Sequence, residues 1–285
     1  MYKRAVLWLA PLLALTLYTH LVGVNHGNSD FVPVGRQQST AFYNFHPDEE
    51  TLIRASLSLT NLLEPSLTAY GMMPLYVLKL AFGTLSLFSG QEFEIDNVES
   101  SRAVFIIARS ISATISVLTL VLVFIVFRHL GNATATIAVW CTASAPMAIQ
   151  QAHFYTVDGL FTLSTLVAFG AIVKSLKSED ASRFWYVGAG VAIASAGTIR
   201  LNGLLLGLIL LFGYIFHARQ AGKSWRHRLV CPNLILAIAM AISTFFVLQP
   251  YLLFNPGSII RTETTNDFAF SLAIASGELL RIWSL

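Results

Sequence analysis

Charge is scarce in this chain. Asp, Glu, Lys and Arg make up 12% of 285 residues against 55% hydrophobic, and the mean hydropathy is +0.65. A soluble domain carries about 25% charged residues, so too little polar surface remains to cover a water-soluble globule. The chain reads as an integral membrane protein. Cysteine is nearly absent too: Cys141 and Cys231 stand far apart beside apolar runs. That excludes a disulfide framework and a Cys-x-x-Cys metal motif, and both thiols read as small apolar residues. No serine has a Gly-x-Ser-x-Gly context, and no P-loop or dinucleotide fingerprint appears. Basic faces interleaved with aromatics are missing, which sets nucleic acid aside as a partner. His46 and His153 fall short of the three protein ligands a catalytic zinc site wants, so no metal site is assigned. Internal repeats and paired halves with broken helices are also missing, which argues against a small transporter.

What is present is a series of apolar runs. A helix needs roughly 20 apolar residues to span the hydrocarbon core. Seven segments meet that approximately: 5–24, 103–127, 133–151, 156–174, 184–199, 202–216 and 232–250. The fifth and sixth are joined only by Arg200-Leu201-Asn202-Gly203 and read as a hairpin. Lys3 and Arg4 precede the first segment without a small-x-small cleavage site after it, so a retained first helix is expected. The fold class is an all-α polytopic membrane protein with about seven crossings.

Orientation follows from the basic residues. With 66–89 not crossing, the inner side holds Lys3, Arg4, Arg128, Lys174, Lys177, Arg183, Arg219, Lys223, Arg226 and Arg228. Only Glu179 and Asp180 oppose those ten, whereas eight basic and thirteen acidic residues fall outside. Excess Lys and Arg inside is what sets topology. Asn132-Ala133-Thr134, a sequon by spelling, then lies inside, where it would not be modified. Counting 66–89 as a span would invert everything downstream, so it is read as a helix at the outer interface, its start broken by Gly71 to Pro74.

The first outer loop, 25–101, is therefore long, and long ordered loops are usually functional. Within it, Leu52, Ala55, Leu59, Leu62 and Leu63 repeat at helical period, predicting an amphipathic surface helix over 47–64 that ends at Pro65. Pro47 suits its first position. Asp48, Glu49 and Glu50 then occupy the first turn, where the helix dipole favours negative charge. Adjacent helical residues point about 100° apart, so at most one of them can act as a base, while a neighbour orients or binds a partner. Serving the helix terminus alone is the simpler reading of all three.

Other charges also call for partners. Arg109 lies seven residues beyond Arg102, about 10 Å deeper. An Arg within a span costs at least ~2.5–3.5 kcal/mol on insertion scales, so it needs a partner or a water-filled cavity. Asp158 opens the fourth span and could face the same cavity; a structural Arg109–Asp158 pair is one reading. Arg200 in the outer hairpin is a cation available for a phosphate, or one that snorkels to the interface. His153 and Tyr155 sit between the third and fourth spans.

In order, these residues resemble a known family. A first span followed by His46-Pro47-Asp48-Glu49 resembles the GT-C-fold glycosyltransferases, in the branch of the protein O-mannosyltransferases and lipid A aminoarabinose transferases. Tyr70 to Tyr76 (YGMMPLY) is similar to the family's Pro-Leu-Tyr interfacial helix. Ala108-Arg109-Ser110 resembles its Ala-Arg-Leu start of the next span. Ser144-Ala145-Pro146 and His153 to Asp158 (HFYTVD) resemble the turn and acidic residue before the following helix. Gly197 to Gly203 resembles the Thr-Lys-Tyr-Asn-Gly element, with Arg200 for Lys. The resemblance covers most of 1–255. Family members usually continue for several more spans, so it implies that 256–285 opens a further half, with a partner chain as one source of missing helices.

The resemblance implies a polyprenyl-phosphate sugar donor and inverting transfer to an acceptor hydroxyl on the outer side. Asp48 would be the general base, with Glu49 beside it orienting the loop or pairing with an Arg. Arg109 and Arg200 would hold the donor phosphate. His46, His153, Tyr155 and Asp158 are acceptor-side or supporting candidates. No cofactor is required by the sequence, and a divalent cation is compatible with it. The implied location is a bacterial plasma membrane with the site extracytoplasmic, or a eukaryotic ER membrane with it lumenal. A non-catalytic membrane subunit or an inactive fragment of such an enzyme is the alternative, against which the retained charges argue.

Overall fold

The computed structural model describes residues 2–27, 46–68, 70–95, 98–176, 183–220 and 231–255, and among them every regular element is helical. The expectations on Lys177, Glu179, Asp180, Lys223, Arg226, Arg228 and on 256–285 lie outside the described residues. The helices are α1 (Tyr2–Leu21), α2 (Pro47–Leu57), α3 (Met73–Ser89), α4 (Val98–Phe127), α5 (Asn132–Ala143), α6 (Pro146–Ala152), α7 (Val157–Leu176), α8 (Arg183–Gly197), α9 (Leu206–Gln220), α10 (Pro232–Leu248) and α11 (Tyr251–Phe254). By length and composition, Glu99–Leu130, Val157–Leu176 and Leu201–Arg219 can each cross a membrane, and Ala10–Leu21, Met73–Ser89 and Pro232–Leu248 are shorter apolar helices. The protein is an integral, multi-pass membrane protein.

The long α4 packs against α1, α5 and α7, and α8 lies between α7 and α10. The face of α8 is nearly all small residues: Ala189, Gly190, Ala192, Ala194, Ala196 and Gly197 are buried. Without a hydrophobic drive between helices in lipid, such faces gain packing by close backbone approach. At Gly190 the approach is tight enough that a Cβ would lie 2.2 Å from the Ala237 carbonyl oxygen of α10.

Three boundaries differ from the sequence expectation. The segment 133–151 is not one continuous helix but two, α5 and α6. Ala145 is extended (φ −69°, ψ 121°) because the ring of Pro146 disfavours helical geometry in the residue before it. The surface helix expected over 47–64 stops at Leu57. Beyond it, the Asn61 side chain accepts from the Leu63 N–H at 3.0 Å, a local turn that competes with helix. Leu52, Ala55 and Leu59 are accordingly buried, whereas Leu62 and Leu63 are exposed. The hairpin at Arg200 is a 3-10 turn, Leu201–Leu205, leading into α9.

One core lies beneath α2 and α3. Leu52, Ile53, Met72, Leu75, Phe105 and Tyr155 interlock there, each at most 1% exposed. It joins α2 and α3 to the start of α4 and the start of α7, and so fixes the α2 carboxylates against the bundle.

Candidate active site

His46 caps α2 from an extended conformation, its Nδ1 accepting the Asp48 N–H at 3.3 Å. Pro47 follows at the first helical position, and the three carboxylates then fan out from one turn. Glu50 points outward to Arg54 at 2.6 Å, an exposed pair one turn apart. Glu49 points inward and is fully buried, and Asp48 points sideways toward Tyr70.

Glu49 is the centre of a buried polar hub. The Arg109 fork grips it with Nε on Oε1 and Nη2 on Oε2, both at 2.8 Å, while the Tyr155 N–H donates to Oε1 at 3.3 Å. Burial pushes the Glu49 carboxyl up, and the Arg109 guanidinium and Tyr155 N–H act against that. All three contacts are donors, so the site is built for the carboxylate form. The Arg109 Nη1 in turn donates to the Val24 carbonyl at 3.2 Å and to the His26 carbonyl. Two turns earlier, Arg102 holds the Asn25 carbonyl at 3.1 Å. These paired arginines anchor the chain leaving α1.

That geometry corrects two expectations. Arg109 is 1% exposed and its fork is closed on Glu49, so it is not turned toward a donor phosphate, nor does it pair with Asp158. Tyr155 is 1% exposed, its hydroxyl donating to the Pro74 carbonyl at 2.8 Å. It ties α7 to α3 rather than facing an acceptor.

Asp48 belongs to a second, half-exposed cluster. The Tyr70 hydroxyl donates to Asp48 Oδ2 at 2.9 Å. Burial, and then the hydrogen bond to Asp48, push the Tyr70 phenol up to about 12, so it stays a donor at neutral pH. Arg200 and Asp158 also act electrostatically on this phenol. Arg200 Nη2 meets Asp158 Oδ1 at 2.6 Å, and Gln151 Nε2 reaches Asp158 Oδ2 at 3.4 Å. Arg200 Nε is buried, and no group among the described residues accepts from it.

The backbone sets this cluster. After α8, Arg200 turns extended (φ −140°, ψ 132°). The Tyr70–Met73 stretch lies on that turn, with Gly71 N–H to Ile199 O at 3.2 Å and Met73 N–H to Thr198 O at 3.5 Å. A Cβ on Gly71 would fall 1.7 Å from the Thr198 carbonyl oxygen. Gly71→Ala is therefore expected to cost about 1–3 kcal/mol through forced backbone displacement. The check is the unfolding midpoint in detergent; no change would mean that this loop does not rest on Thr198.

The His153 Nδ1 donates to the Ile149 carbonyl at 2.7 Å and its ring lies 6.2 Å from His20. The His46 ring lies 6.0 Å from Phe154. Tyr70 and Gln151 were not singled out from sequence. Tyr70 stood inside the YGMMPLY stretch, but nothing local marked its hydroxyl. Among the described residues, no three His, Cys, Asp or Glu side chains converge as metal ligands.

Together these features define a multi-pass helical membrane protein with a polar site gathered at one end of its bundle. A family model described as dolichyl-phosphate-mannose-protein mannosyltransferase matches residues 100–256, more than half of the chain. The chain belongs to that family. The matched range includes Arg109, Asp158 and Arg200; α2 lies before it. The crystal structure of ArnT from Cupriavidus metallidurans bound to undecaprenyl phosphate is similar in fold. The TM-score is 0.60 at 18% identity, covering 90% of this chain and 44% of that one. The chain thus spans less than half the length of that relative. No curated protein sequence matches the chain.

Proposed function

We infer that this chain carries the catalytic base and donor-phosphate contact of an inverting glycosyltransferase that uses a polyprenyl-phosphate sugar. The observation that carries the reading is the cluster itself. Asp48 is oriented by Tyr70, and the same phenol feels the charge of Arg200, which has a buried N–H to give. Family membership and the fold shared with ArnT support the lipid-phosphate donor.

In the reaction, an acceptor hydroxyl oxygen forms a bond to the sugar anomeric carbon while the bond from that carbon to the phosphate oxygen breaks. The electron pair leaves on the polyprenyl phosphate, and the hydroxyl proton passes to the Asp48 carboxylate. One displacement from the face opposite the phosphate inverts the anomeric centre. Arg200 stabilises the negative charge gathering on the leaving phosphate, with Asp158 and Gln151 setting its orientation. Arg109 and Glu49 are positioning residues that fix α2.

The topology that suits this chemistry has about seven crossings, with α2 and α3 at the outer interface. Leu80, Leu87 and Phe88, exposed on α3, would enter the lipid there. Arg128, Lys174, Arg183 and Arg219 lie at the helix ends opposite Asp48 and Asp158, which supports an extracytoplasmic site by the positive-inside bias. The test is transfer of radiolabelled sugar from short-chain polyprenyl-phosphate donors in membranes carrying the protein. Label on an endogenous acceptor is expected, and its absence with protein shown to be folded would overturn the reading.

A further inference from the structure

Where α1, α4, α5 and α6 meet behind the start of α7, they leave a cavity of about 80 Å³. Its inner end is buried and polar. His20, from the last turn of α1, lines it and is 1% exposed. Among the described residues, neither nitrogen of its ring has a hydrogen-bond partner. A neutral imidazole carries one donor and one acceptor, and leaving both unpaired in a core is costly. Ser112, Thr119 and Thr142 line the cavity too. Each spends its hydroxyl hydrogen on a carbonyl at 2.8 Å, those of Phe154, Ile115 and Ala138, and so keeps lone pairs with which to accept. Gln151 lines the same cavity, while its Nε2 reaches Asp158.

We propose that this cavity is a site for ordered water held between His20 and Gln151, and that His20 is thereby a positioning residue for the Asp158–Arg200 pair. The positioning role rests on the reading of Arg200 as the phosphate contact; the water site does not. Water matches the walls in chemistry and in size. It accepts from the imidazole N–H and donates to the other ring nitrogen and to the hydroxyl oxygens. Each molecule needs at least roughly 10–15 Å³ of such room, so more than one fits. An acyl chain would leave both ring nitrogens unpaired. No carboxylate lines the cavity, so a metal cation there would go uncompensated. The edge contact with the His153 ring packs the imidazole without serving its nitrogens. Hydrogen bonds then run from His20 through water to Gln151, and on through Asp158 to Arg200.

The test uses the full chain in lipid nanodiscs. X-ray pulses turn bound water into hydroxyl radicals that oxidise the side chains beside it, and mass spectrometry in isotope-labelled water reads the product. Labelling of His20 is expected several-fold above that of Phe105, which is equally buried in the apolar core. Ser116→Leu, which fills the cavity from α4, should bring His20 down to the Phe105 level. His20→Leu should raise the donor KM about two- to ten-fold, the worth of one hydrogen bond, with kcat changed by a smaller factor. His20→Gln restores a donor and an acceptor and should return KM to near the parent value. A merely structural loss would instead lower the active fraction, and with it kcat, at unchanged KM. Labelling of His20 no higher than that of Phe105 would overturn the proposal, and so would an unchanged donor KM in folded His20→Leu protein. Should that variant not fold, Ser116→Leu gives the same KM comparison with His20 in place. No transfer by the parent chain would overturn the donor reading and the positioning role with it, while the labelling result would still decide the water site.

Discussion

Arg109→Met should lower folding stability by about 3–5 kcal/mol, the range expected when one partner of a buried ion pair is removed. Both side chains are at most 2% exposed, and the fork is bidentate at 2.8 Å. Without the guanidinium, Glu49 is left charged in a dry core with one backbone N–H as a donor. The Val24 and His26 carbonyls lose theirs as well. Four segments meet at this point: the exit from α1, the first turn of α2, α4 and the start of α7. Equilibrium unfolding in detergent would read the loss. Glu49→Met should cost a similar amount, while the double variant should recover part of it, because removing both charges removes the desolvation penalty too. A single Arg109→Met variant within about 0.5 kcal/mol of the parent, the ordinary range of surface changes, would show that the hub does not hold α2.

How much of this was legible in the sequence varies with the range of the interaction. Local rules worked well. The Pro47 start and the acidic first turn of α2 follow from helix end effects, and so does the divergence of Asp48, Glu49 and Glu50. Which of the three turns inward is a tertiary fact, set by where α2 lands on α4. The cost of placing Arg109 within a span required a partner, and the structure supplies one. That partner is Glu49, sixty residues upstream, rather than Asp158, because periodicity says nothing about which loop folds back onto a helix. Arg102 and Arg109 stand two turns apart on one face, yet their acceptors after α1 are separate backbone carbonyls of 24–26, which have no sequence signature. The break at Ala145 was written in Pro146, but hydropathy alone ran through it. The Asp48–Tyr70 contact depends on Gly71 lying against Thr198, a close approach that a lone glycine does not announce.

Asp48→Asn should reduce sugar transfer by about 10²–10⁴-fold, the span of general-base catalysis, while leaving the protein folded. The substitution is nearly isosteric, and the amide oxygen can still accept from the Tyr70 hydroxyl. What is lost is the ability to take a proton. Turnover should therefore fall with the donor KM little changed, the pattern of an interaction made in the transition state alone. Arg200→Gln should behave differently, raising the donor KM and lowering turnover, since a phosphate contact acts in both the ground and transition states. Tyr70→Phe tests orientation without removing the base, and a loss of about ten-fold is expected, a fraction of the general-base contribution. Full turnover by folded Asp48→Asn protein would remove Asp48 as the base. With Glu49 closed on Arg109 and Glu50 turned outward to Arg54, the role would then pass to Asp158, half-exposed across the same cluster. Asp158→Asn would be the decisive variant in that case, because it also releases Arg200 from its carboxylate partner. A rise in donor KM there with unchanged kcat would mark Asp158 as a holder of Arg200 rather than a base.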